Sequence, residues 1–102
     1  MSSRREDLER IFNDVPEGEK VLVGPLIDEV IYLEMRMEDL RRMPFIAVHP
    51  RNPQLQKSTP AAKQYKECSQ SYMNAVRILL GILSKTEPSA ADELMEKLAA
   101  FK

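Results

Sequence analysis

The stretch VGPLIDEVIYLEMRMEDL, Val23 to Leu40, decides the fold. Its apolar residues Val23, Leu26, Val30, Leu33, Met37 and Leu40 alternate steps of three and four, the rhythm that lines up one seam along a coiled-coil helix. A second stretch keeps the same intervals through Tyr65, Cys68, Tyr72, Ala75, Leu79 and Ile82. Two long helices joined by a proline-rich basic segment are therefore expected. Neither seam is stable in water, so the helices pack on each other, on further copies, or on both. The sequence thus reads as a single all-α domain over residues 1–102: a long antiparallel helical hairpin with short N- and C-terminal helices, self-associating.

Around that stretch, the second helix is expected over about residues 16–43. Ile27, Ile31 and Met35 widen its apolar face, while Asp28, Glu29, Glu34, Glu38 and Asp39 read as its solvated side and Arg41-Arg42 suit its C-terminal end. Gly24-Pro25 predicts a kink, or alternatively a break between two shorter segments. Upstream, Leu8, Ile11, Phe12 and Val15 predict a short amphipathic helix over residues 3–15, and Asp14 with Glu17 reads as a capping pair for the helix that follows. Downstream, Pro44 stops the second helix. The linker 44–59, PFIAVHPRNPQLQKST, holds three prolines and reads as polyproline-like or irregular, with Phe45, Ile46 and Val48 tucked back onto the helices. Thr59-Pro60 is an N-cap and first helical residue, opening a third helix over residues 60–85 with Met73, Val76, Ile78, Leu80 and Leu83 beside its seam. Gly81 inside that run implies close approach of a neighbour. Ser89 and Asp92 resemble a capping box for a last helix, residues 90–101, carrying Leu94, Met95, Leu98 and Phe101.

With 102 residues, 43% hydrophobic and 30% charged, the chain is long enough for one modest core and is not expected to be disordered. Cys68 is the single cysteine, which rules out an intramolecular disulfide and reads as a small core residue in a reducing compartment. No apolar run approaches the roughly 18 residues that cross a bilayer, and the start of the chain does not resemble a secretory signal. A cytoplasmic protein is expected, with no membrane partner. His49 is the single histidine, no glycine-rich phosphate loop occurs, and no residue set suits a zinc ion. Neither catalysis, a metal, a cofactor nor a small-molecule substrate is therefore expected. The six methionines and the rings of Tyr32, Tyr65 and Tyr72 read as core packing, the tyrosine hydroxyls reaching water.

Charge is distributed unevenly. From Arg41 to Lys66 there are six cations and no acid, while the rest of the chain carries −7. Arg51, Lys57, Lys63 and Lys66 fall on the linker and the helix start behind it, where exposed backbone donors also favour anions. They are the candidate DNA-phosphate contacts. The competing reading is a soluble connection with scattered surface cations.

Four quoted segments carry a resemblance: PLIDEVIYLE (Pro25–Glu34), LRRMPFI (Leu40–Ile46), HPRNP (His49–Pro53) and KSTPAAKQYKE (Lys57–Glu67). Together, over roughly residues 5–85, they are similar to the small phage and prophage proteins of the terminase small subunit type, near the P27-like group. The resemblance implies a non-catalytic DNA-packaging component that forms an oligomeric ring, engages double-stranded viral DNA and works with the large terminase ATPase in a bacterial host cell. The helix-turn-helix domain of better known small terminases has no evident counterpart in this chain. The alternative reading is a structural or regulatory helical oligomerisation module that binds another protein.

Overall fold

The computed structural model describes residues 3–99. Most of it, 74%, is helical, with four helices and a small two-stranded sheet: α1 (Arg4–Ile11), α2 (Glu17–Arg41), β1 (Ile46–His49), β2 (Asn52–Ser58), α3 (Pro60–Thr86) and α4 (Pro88–Ala99).

α1 starts at Ser3, whose hydroxyl accepts from the Glu6 amide, and Glu6 and Asp7 sit in its first turn, where the helix dipole favours acids. It is shorter than its apolar pattern suggests. Phe12 and Val15 nevertheless stay buried in the turns that follow. α2 begins at Glu17 behind Pro16, which has no side chain to cap with, so the expected Asp14–Glu17 pair does not form the cap. α2 then runs unbroken through Pro25. Proline leaves the carbonyl four residues earlier, on Val21, without its helical donor. Val21 and Pro25 both lie on the solvent side, so water can take that carbonyl, and the two-segment alternative is excluded.

The expected seams are buried. On α2, Val23, Val30, Leu33, Met37 and Leu40 are buried and Leu26 half-buried; on α3, Tyr72, Ala75, Leu79 and Ile82 are buried and Tyr65 and Cys68 half-buried. α2 packs most extensively on α3, and α1 and α4 close the core from the side with Leu8, Ile11, Leu94 and Leu98. Three side chains expected beside the seams, Met35, Met73 and Ile78, instead face water, at half or more of their full exposure. Gly81 has nothing within 4 Å of where a Cβ would stand, so no neighbour inside the chain accounts for it. α4 begins at Pro88, which puts Ser89 inside the helix rather than at its cap, and Phe101 lies outside the described residues.

The linker is the main departure from an all-α fold. Residues 46–58 form an antiparallel ribbon with Ile46 opposite Ser58, Ala47 opposite Lys57 and Val48 opposite Gln56, then a bulge and His49 opposite Asn52. Alternating Ile46 and Val48 suit a strand, and the turn is held locally: the Arg51 amide donates to His49 Nδ1 at 3.1 Å and the Gln54 amide to Asn52 Oδ1 at 3.2 Å. Pro53 is tolerated because both strands of a two-stranded ribbon are edges. Every residue of the ribbon is exposed, so Ile46 and Val48 do not tuck onto the helices. The molecule measures 60 × 28 × 21 Å, with a radius of gyration of 17.4 Å against about 13 Å for a compact chain of about 100 residues.

Candidate nucleic-acid interface

The ribbon and the first turns of α3 carry the cations singled out by the sequence. Arg51 lies in the turn at the ribbon tip, Lys57 stands opposite Ala47 near its base, and Lys63 and Lys66 lie one turn apart on the exposed side of α3. None of the four forms an ion pair among the described residues. At about 3.3 Å per residue, Arg51 stands up to ~20 Å from Lys57. The structure therefore spreads these cations along a strip rather than gathering them at one point.

The root of the ribbon is fixed by Thr59. Its hydroxyl accepts from the Ala62 amide at 3.2 Å and donates to the Pro44 carbonyl at 2.7 Å, while its amide donates to the Phe45 carbonyl at 3.1 Å. One residue thus caps α3 and holds the end of the α2–β1 connection against it. The Phe45 ring packs on Tyr65 at 5.2 Å between centroids, and Arg41 donates from Nε to the Tyr65 hydroxyl at 2.9 Å with its guanidinium 5.6 Å from that ring. Tyr65 therefore holds a cation rather than only pointing to water. The anion-favouring amides expected at the start of α3 are largely occupied: Pro60 has none, and those of Ala62 and Lys63 bond to Thr59. Anion binding here rests on the side chains.

The ribbon is not purely basic. Ile46, Val48 and Leu55 are each more than half exposed, and Ala47, Val48, Leu55 and Lys57 line a shallow, mostly apolar cleft with His49 and Gln56.

A second polar group was not legible from composition. Glu34, assigned by the sequence to the solvated face, is 4% exposed. Its Oε1 accepts from Arg4 Nε at 2.6 Å, and its Oε2 from Arg4 Nη2 at 2.6 Å and from the Tyr72 hydroxyl at 2.7 Å; Arg4 Nη1 also donates to the Lys97 carbonyl at 3.3 Å. This group ties all four helices together. Burial, then the bond to the carboxylate and its charge, pushes the Tyr72 hydroxyl well above the ordinary tyrosine range, and the bond to Glu34 raises the Arg4 guanidinium. The available signal was position: Glu34 lies four residues after Val30 and three before Met37, along the buried seam. No cluster of three or more metal-ligating side chains occurs among the described residues. No described helix is long and apolar enough to cross a membrane.

Compared with protein-family models, curated proteins and solved structures, the chain matches none.

Proposed function

We propose that this protein is a small terminase-like subunit of a phage or prophage DNA-packaging machine, cytoplasmic in the bacterial host cell, oligomeric and non-catalytic. In this reading α2 and α3 form a long antiparallel helical hairpin that self-associates, and the ribbon with the start of α3 meets double-stranded DNA and hands it to the large terminase ATPase. The antiparallel arrangement is supported by paired contacts whose numbers run in opposite directions: Arg41 with Tyr65, and Glu34 with Tyr72. The observation that carries the DNA reading is the exposed ribbon, rooted by Thr59, inside a segment that holds six cations and no acid. Such a surface attracts phosphate without reading bases, consistent with the missing recognition helix.

Fluorescence anisotropy with a labelled duplex tests it. Four phosphate contacts per protomer give a log–log salt slope of about −3.6, at roughly 0.9 per phosphate, and Arg51→Ala with Lys57→Ala lowers it by about 2. Absent or salt-independent binding removes DNA from the reading. One observation favours a second reading, a helical module whose ligand is a protein: the apolar cleft between Val48 and Leu55 suits a side chain better than a phosphate. A discrete small oligomer with no affinity for duplex DNA and a pull-down partner unrelated to packaging is its signature.

A further inference from the structure

The sides of α2 and α3 that face away from the core carry opposite charge. Over its length α2 holds seven acids and three cations, and its outward side exposes Glu17, Asp28, Glu29 and Asp39 among the apolar Val21, Leu22, Tyr32 and Met35. α3 holds four cations and one acid, and its outward side exposes Lys63, Lys66, Arg77 and Lys85 beside Met73 and Ile78. Val21 is 72% exposed, Met35 61% and Tyr32 56%, on a protein whose core is otherwise well buried. Exposed apolar side chains rimmed by charges of one sign mark association surfaces.

From these faces we infer that a second copy of this chain docks side by side, the outer face of its α3 against the outer face of this α2. The inference rests on the self-association and antiparallel pairing proposed above. The level of contact follows from the contacts within one chain. Arg41 meets Tyr65 and Glu34 meets Tyr72, so a step of seven along α2 matches a step of seven back along α3. Continued along both helices, the same register sets Glu29 level with Arg77, Pro25 with Gly81 and Val21 with Lys85. Copies placed side by side without an axial shift then set Arg77 beside the neighbour's Asp28, which shares the outer stripe with Val21 and Met35 and within its own chain also reaches Arg5. Gly81, exposed and with open space around it, comes opposite the Leu22–Pro25 turn, where bare backbone lets another helix approach closely. Face-to-face pairing of two α2 surfaces, or of two α3 surfaces, opposes like charges. The contact is therefore heterologous, and repeating it gives a closed ring if the rotation between copies closes, or a filament if it does not.

Charge exchange tests this without a ligand. Two variants are made, E17K/D28K on α2 and R77E/K85E on α3, all at exposed positions, with circular-dichroism melts to check that each keeps its fold. Light scattering on wild type is expected to give a multi-subunit mass. Each variant alone is expected to need at least tenfold higher concentration to assemble, and an equimolar mixture to assemble again at the wild-type concentration with alternating copies. Gly81→Gln, whose Cβ meets nothing within 4 Å in the chain, is expected to weaken assembly while leaving the fold intact. A single-chain mass for wild type overturns the self-association reading and this interface with it. An assembled wild type whose charge variants assemble equally well, or whose mixture fails to recover, overturns the interface alone.

Discussion

In the helical body Ile27, Val30, Leu83 and Leu94 are completely buried, whereas in the ribbon every residue from Ile46 to Ser58 is exposed. The body is held by apolar seams shared among four helices and by one buried polar group. The ribbon is held by its own ladder, a locally bonded turn and the clasp at Thr59. Two strands alone are marginal in water, so the clasp matters more here than any cross-strand pair. Stability and surface chemistry are thus separated along the chain, and substitutions in the two regions should differ in kind.

The largest contrast comes from truncation. Leu79→Ala removes a buried side chain and is expected to cost about 2–5 kcal/mol in urea unfolding, while Val48→Ala on the ribbon stays within about 0.5 kcal/mol. Equal losses at the two sites would abolish the contrast. Next is Tyr72→Phe, which removes a donor from a buried carboxylate and should cost about 1–3 kcal/mol. The same bond makes the fold sensitive to alkali. Because the hydroxyl is held above its ordinary value of 10.0, its contribution is complete below that pH and falls as pH rises beyond it. Wild type should lose stability above about pH 10, and Tyr72→Phe should lose less of what remains. Thr59→Ala takes away the α3 cap and the bond to Pro44 together, for about 1–2 kcal/mol. Hydrogen exchange should show the ribbon amides loosening before those of the core, which sharpens the division between the regions. Smallest, and of opposite sign, is Gly81→Ala: in an exposed helix position with open space around it, alanine should raise the stability of the single chain by just under 1 kcal/mol.

The helical body was legible because its code is periodic. Val30, Leu33 and Met37 on α2 and Tyr72, Leu79 and Ile82 on α3 fall on the three-and-four rhythm, and all are buried. The Thr59-Pro60 start of α3 was legible because capping is a local property, with the Ala62 bond to show for it. The ribbon was not. Pro50 and Pro53 argue against a strand in the middle of a sheet but say nothing against an edge, and the bulge at Val48–His49 interrupts the alternation that would have revealed it. Glu34 was missed because a carboxylate among Asp28, Glu29 and Glu38 looks like one more solvated charge, and its partner Arg4 is thirty residues away. Of the candidate contacts, sequence placed all four cations in the right segments. It did not anticipate that a turn would carry Arg51 away from the other three.

A free-standing ribbon also has a liability. Both strands present an unpaired row of backbone donors and acceptors, the template on which unrelated chains add strands and precipitate. The same residues that obscured the ribbon in the sequence guard against this: Pro53 removes a donor from β2, the bulge spoils the straight run of β1, and Lys57 places a charge beside the edge. Replacing Pro53 and Lys57 with strand-forming apolar residues would lengthen the ladder and, by the same step, make the protein prone to aggregate during expression.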